Sequence, residues 1–143
     1  MELKVSKLNK EAVLPSYSYE DDAGFDLYSV EEVSVDPSRR FQIKTGIAMQ
    51  IPAGYVGLIW DKSGLSHKFG IKTLGGVIDS GYRGEIIVGI INLSDENHTF
   101  KKGEKIGQMI IQKKENCEIV EVENLEEAER GDRGFGSSGK KVN

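Results

Sequence analysis

An acid and an aromatic ring stand three residues apart in Gly75-Gly76-Val77-Ile78-Asp79-Ser80-Gly81-Tyr82-Arg83-Gly84-Glu85, a glycine-dense segment between apolar runs. Glycine lets backbone approach a ligand closely, at a cost in chain entropy. Two apolar strands meeting at Asp79-Ser80-Gly81-Tyr82 predict a β-hairpin that aims polar groups into a pocket. A plainer reading is also open, in which Asp79 caps its own turn through an Asx-type bond. The second candidate is Arg130-Gly131-Asp132-Arg133-Gly134-Phe135-Gly136-Ser137-Ser138-Gly139. Glycine-rich backbone, hydroxyls and guanidinium groups suit phosphates, and a phenyl ring suits a base. Such a segment cannot bury enough surface to fold alone. It reads either as a solvated tail or as an arm built to order itself over a nucleotide.

Other chemistries find little support. Cys117 is the one cysteine, so no intrachain disulfide and no cysteine metal site can form, and its setting beside Ile119-Val120 predicts a half-buried structural thiol. His67 and His98, the two histidines, are too far apart in sequence to argue a zinc site. A net charge of −4 speaks against broad nucleic-acid binding but not against a small anionic ligand. No apolar run is long enough to span a membrane. Met1-Glu2-Leu3-Lys4 does not open a signal peptide, so a cytoplasmic protein is expected.

The elements that must position these groups are strands. The 143 residues suit one domain with a real core. From Phe25 to about Val122 the chain reads as short β-type segments: Val33–Val35, Phe41–Ile51, Tyr55–Trp60, Glu85–Leu93 and Ile106–Ile111. Turn signals separate them at Asp36-Pro37, Pro52-Ala53-Gly54, Ser94–Asn97 and Lys101–Glu104. Tyr55–Trp60 and Glu85–Leu93 are nearly continuously apolar, which predicts burial on both faces. One short helix is expected around Ser63–Phe69. Many short strands with regular turns argue an all-β fold, a jelly-roll sandwich or barrel. Residues 1–125 form the expected domain, and 126–143 a flexible glycine-rich arm.

Five islands then stand in chain order: Ala23-Gly24-Phe25-Asp26-Leu27, Lys62-Ser63-Gly64-Leu65-Ser66, the Gly75–Glu85 segment, Gly103-Glu104-Lys105-Ile106-Gly107-Gln108-Met109, and the Arg130–Gly139 arm. Each alone is weak. Together, with Gly-Val-Ile-Asp-x-x-Tyr-Arg-Gly at their centre, they resemble the trimeric all-β dUTPases over nearly the whole chain. The resemblance implies a β-clip type jelly roll that hydrolyses dUTP to dUMP and pyrophosphate by water attack on the α-phosphorus. It also implies Mg²⁺ on the triphosphate and a homotrimer with active sites shared between subunits.

By that resemblance, Asp79 orients and deprotonates the water, and Gln108 bonds the α-phosphate region and the same water. Tyr82 packs on deoxyribose and leaves no room for a 2′-hydroxyl. The backbone of Gly76, Val77 and Ile78 reads the uracil edge. Lys62, Ser63 and Gly64 bind phosphate, Arg130 the γ-phosphate, and Ser137 and Ser138 the terminal phosphates. Phe135 stacks on uracil, Gly136 joins the substrate-binding residues, and Asp26 sits near the metal's water shell and the subunit interface, a turn-capping role after Gly24 being equally open. Three positions depart from the pattern: Lys62 for the usual Arg, Asp61 for the usual Pro, and Thr73 where Asn or Asp often touches base or sugar. Lysine keeps the charge but loses the planar fork. Two other functions stay open: a dCTP deaminase-like enzyme of the same fold, with Glu85 as the nearest candidate base, and a dUTP-binding sensor without turnover.

Overall fold

A computed structural model describes residues 1–134, so Phe135, Gly136, Ser137 and Ser138 lie outside the described residues. The strands are β1 Lys4–Lys7, β2 Phe25–Tyr28, β3 Val33–Val35, β4 Arg40–Gln50, β5 Tyr55–Trp60, β6 Ile71–Leu74, β7 Val77–Asp79, β8 Glu85–Asn92, β9 His98–Phe100 and β10 Lys105–Lys113. The helix α1 spans Ser63–Phe69, where a short helix was expected, and stops at Gly70.

Two four-stranded sheets, ordered β1-β4-β8-β6 and β2-β10-β5-β7, are joined by a small β3-β9 pair. Every pairing is antiparallel. The all-β expectation therefore holds. Alternation decides which side chains go inside. On β8, Ile86, Val88 and Ile90 are fully buried, and from the facing sheet Leu27 and Met109 meet them in one core. Each such aliphatic side chain stabilises the fold by about 1.5–3 kcal/mol relative to exposure.

Three expectations need correction. Glu85–Leu93 is not buried on both faces: β8 alternates buried with half-buried positions, because its sheet packs against only one other. On β5 only Gly57 and Ile59 are buried, and Trp60 is 52% exposed. Strand structure ends at Lys113 rather than near Val122, and residues 115–134 are exposed. With nothing packed over that stretch, Cys117 is exposed rather than half-buried.

The third correction concerns the turn at Asp79–Tyr82. Its flanking strands do not pair with each other. β7 joins β5 in one sheet, while β8 runs between β4 and β6 in the other. The segment is a crossover between layers rather than a hairpin. Gly76 makes the approach to it possible. Its φ is +109°, and a Cβ there would lie 2.8 Å from the Ile59 carbonyl oxygen. No helix among the described residues is long and apolar enough to cross a membrane.

Candidate active site

The crossover turn closes through the Tyr82 N–H, which donates to the Asp79 carbonyl at 3.0 Å. Tyr82 Oη donates to the Glu85 carbonyl at 3.0 Å, folding the ring back along the turn. A Cβ at Gly84 would come within 2.3 Å of Tyr82 Oη, so no other residue could let the ring lie there. Arg83 Nη1 donates to the carbonyls of Ser80 and Tyr82 at 2.7 and 2.8 Å, stiffening the same loop from outside. Asp79, by contrast, is exposed, and among the described residues its carboxylate has no hydrogen-bond or ion-pair partner. The Asx cap that sequence left open is thus absent. Asp79 and Tyr82 line a cavity of about 190 Å³ with Val77, Ile78, Glu85 and Ile87. A carboxylate, a ring and apolar walls can receive a sugar and base, with an unpartnered base for a water beside them.

Glu85 has a different task. Its Oε1 accepts the Gly46 N–H at 2.8 Å, at the point where the β4–β8 register breaks between Lys44 and Ala48.

The second cluster forms where β5 gives way to α1. Lys62 takes extended geometry as the helix begins, and its Nζ donates to Asp26 Oδ1 at 2.5 Å. Asp26 Oδ2 accepts Ser18 Oγ at 2.8 Å and Lys105 Nζ at 2.6 Å. Asp26 is only 1% exposed. Burial alone would raise its pKa, but the bonds from Lys105, Lys62 and Ser18, with the Lys62 charge, hold the carboxyl below its usual range. The same bond raises the Lys105 pKa. Asp26 therefore serves as counter-ion to two lysines. Ser63 and Gly64 open α1 and are exposed.

Gln108 completes this cluster. On β10 it sits opposite Asp26 on one side and Trp60 on the other. Its Nε2 donates to the Asp61 carbonyl at 2.8 Å. An acceptor-only carbonyl fixes which end of the amide is the donor. Asp61 Oδ1 in turn accepts the backbone N–H and hydroxyl of Thr73 at 2.6 and 2.7 Å, and Oδ2 accepts Lys72 Nζ at 2.8 Å. Burial pushes the Asp61 carboxyl up, yet Lys72 and both Thr73 donors bring it below the ordinary value. Lys62 and Lys105, partly exposed around the buried Asp26, leave cationic N–H donors at this corner that suit an oxyanion better than a neutral group.

The two clusters do not meet within one chain. Asp79 pairs with Val56 on one edge of β5, and Gln108 pairs with Trp60 on the other edge. Those positions are about 13 Å apart along the strand and about 10 Å across it. The Gln108 amide is also drawn toward Asp61, away from Asp79. Arg130 is exposed, and its Nε donates to the Arg133 carbonyl at 2.8 Å. Sequence reading missed Ser18 and Lys105 as partners of Asp26. It noted Asp61 only as a departure, although an acid beside Lys62 in a turn was a signal of an ion-pair network.

For a resident divalent ion the fit is poor. Among the described residues no three His, Cys, Asp or Glu side chains gather to hold one. The nearest buried carboxylate, Asp26, is neutralised by lysines.

Comparison with known proteins identifies the family. The dUTPase family model matches residues 10–139. A deoxyuridine 5′-triphosphate nucleotidohydrolase of Clostridium kluyveri is 51% identical over 141 residues, covering 97% of this chain and 99% of its own. Among solved structures, the dUTPase of Staphylococcus bacteriophage 80alpha, a G164S mutant with dUpNHpp, superposes with a TM-score of 0.88 at 35% identity, covering 97% and 99% of the two chains. The D95N dUTPase of phage phi11 of S. aureus, described with a structural Mg(II) ion, gives 0.83 at 29% identity, covering 89% and 100%. With a family model spanning most of its length and a relative half identical throughout, the chain belongs to the dUTPase family.

Proposed function

We propose that the protein hydrolyses dUTP to dUMP and pyrophosphate in the cytoplasm, by attack of water on the α-phosphorus. One observation carries the mechanism. Asp79 is an exposed, unpartnered carboxylate on the wall of a nucleoside-sized cavity, while the phosphate donors are gathered elsewhere. A free carboxylate can hold the attacking water and accept its proton. Tyr82 walls the sugar, with its hydroxyl tied back to Glu85 so that the ring cannot swing out to admit a 2′-hydroxyl. The backbone at Gly76, Val77 and Ile78 reads the uracil edge, and Thr73 stands at the start of that approach.

Lys62, Ser63, Gly64 and Gln108 take the phosphates. Asp26 holds Lys62 by one N–H, which leaves its other donors for the ligand. Gln108 is oriented by Asp61 toward the α-phosphate and the water. Since Asp79 and Gln108 stand on opposite edges of β5, one water cannot touch both within a single chain. In this reading the cluster at β5–α1 serves the cavity of a neighbouring copy, which supports an assembly with shared sites, and we take it to be a homotrimer. Arg130 and the arm beyond it, through Phe135, Gly136, Ser137 and Ser138, close over the nucleotide from a further chain. Closure excludes bulk water other than the nucleophile.

Magnesium belongs to the substrate in this reading. Bound to the triphosphate, Mg²⁺ offsets its charge, and the described residues supply no ligand cage. The deaminase reading is weakened, because Glu85 already spends one carboxylate oxygen on the Gly46 N–H. A pure sensor would have no use for an unpartnered acid at the sugar. Pyrophosphate release from dUTP, compared with UTP, dTTP and dCTP, tests the proposal. Release from dUTP alone is expected; ammonia from dCTP, or no turnover of dUTP, would overturn it.

A further inference from the structure

Asp61 ties together parts of the molecule that the proposed reaction uses separately. It lies between the end of β5 and the start of α1. Its carboxylate reaches the other sheet, where one oxygen accepts both the backbone N–H and the hydroxyl of Thr73 at 2.6 and 2.7 Å. The second oxygen accepts Lys72 Nζ at 2.8 Å. Its carbonyl accepts Gln108 Nε2 at 2.8 Å. Thr73 is buried, and its N–H faces away from β8 on the open edge of β6, so no strand is there to take it.

The consequence lies in the chain that follows. From Thr73 the backbone leaves one sheet and enters the other within four residues. It passes through Gly75 and Gly76, both at positive φ, before reaching Val77 on the cavity wall. Two glycines in succession form a soft hinge. The downstream end is held by the Gly76 carbonyl, which accepts the Ile59 N–H at 2.8 Å. The upstream end is held by the β6–β8 ladder and by Asp61. A two-point bond to one carboxylate oxygen fixes both the position and the rotation of Thr73.

We infer that Asp61 is a positioning residue for substrate binding: its carboxylate sets Thr73 and the glycine crossover against the nucleoside, while its carbonyl sets the Gln108 amide for the phosphates. This rests on the dUTPase reading above. The carbonyl bond survives replacement of the side chain, so the side chain governs the nucleoside end. The effect of losing it is on affinity rather than on the chemical step.

The test measures dUpNHpp affinity by calorimetry and dUTP kinetics in wild type, Asp61→Ala and Asp61→Asn. Asparagine keeps an oxygen acceptor for both Thr73 donors and loses only the Lys72 charge pair. Alanine leaves both donors unpaired in a buried place. We expect D61A to weaken dUpNHpp binding and raise KM about tenfold, because the crossover then spends only about a tenth of its time in the competent geometry, with kcat within about threefold. D61N should stay within about threefold of wild type in both. Should D61A fail to fold, Asp61→Ser carries the same expectation, because its shorter side chain cannot span to both donors. Unchanged affinity in D61A, a D61N defect as large as that of D61A, or a fall in kcat at constant KM would each overturn the inference. The dUTPase reading itself fails separately, if wild type binds dUpNHpp but releases no pyrophosphate from dUTP.

Discussion

The crossover at Asp79–Tyr82 and the corner where β5 meets α1 both present acids, yet they treat those acids oppositely. Asp26 and Asp61 are each held by three or more donors, and both carboxyls titrate below their usual range. Asp79 is exposed with no partner among the described residues. The turn around it is nonetheless stiff, fixed by Tyr82, Arg83 and Gly84. A carboxylate that must accept a proton is useful only if its lone pairs are not already committed. A carboxylate that must arrange cations is useful only if they are. In the proposed reading the same side chain thus does two kinds of work, and the local donor count separates them.

Breaking the open side should have the largest effect. Asp79→Asn keeps the shape and removes the base. It should lower kcat for dUTP by about 10²–10⁴-fold while leaving dUpNHpp affinity within a few-fold, as single-turnover assays and calorimetry would check. Ending the chain at residue 129 should cost about 100-fold in kcat/KM, through loss of closure and orientation. Circular dichroism and sedimentation should still report a folded assembly, since residues 126–134 are exposed and belong to no strand. Breaking the tied side acts on stability first. Asp26→Asn leaves Lys62 and Lys105 facing a neutral group, and should lower unfolding free energy by about 2 kcal/mol in denaturant titrations, allowing for the partly exposed lysines.

The smallest effect should come from acid. Asp26 and Asp61 have folded pKa values below the ordinary 3.8, so the unfolded chain binds protons more readily than the folded one. Their stabilisation is complete above the ordinary carboxylate range and is lost as pH falls through the lower folded values. The melting temperature should therefore hold steady near neutrality and fall below about pH 4. That fall should be shallower in D26N, which has one such group fewer.

Much of this was legible in the chain. Alternation and apolar runs located β3, β4, β5, β8 and β10 but not β1, β6 or β9, and the weak β-character of Ser63–Phe69 located the helix. The motif islands named Asp79, Tyr82, Lys62 and Gln108. Pairing across the crossover was not legible, because β7 and β8 carry the apolar pattern of a hairpin and only the third dimension sends them to different sheets. Burial of β5 on both faces was overestimated for a related reason: an apolar run does not say how many layers cover it. The partners of Asp26 were hidden by distance, since Ser18 and Lys105 lie 87 residues apart and meet only through β2 and β10. Asp61 looked like a loss of proline, and its value emerged only when its carboxylate was seen to reach β6.

The central claim is that the open and the tied cluster complete one another between copies of the chain. Complementation measures it directly. D79N and Gln108→Ala chains, each inactive alone, are refolded together in equal amounts and assayed for pyrophosphate release from dUTP. If sites are shared, random assembly places an intact Asp79 against an intact Gln108 in about one site in four, and about a quarter of wild-type activity returns. If each chain holds its own complete site, the mixture stays as inactive as its components, and the account is contradicted.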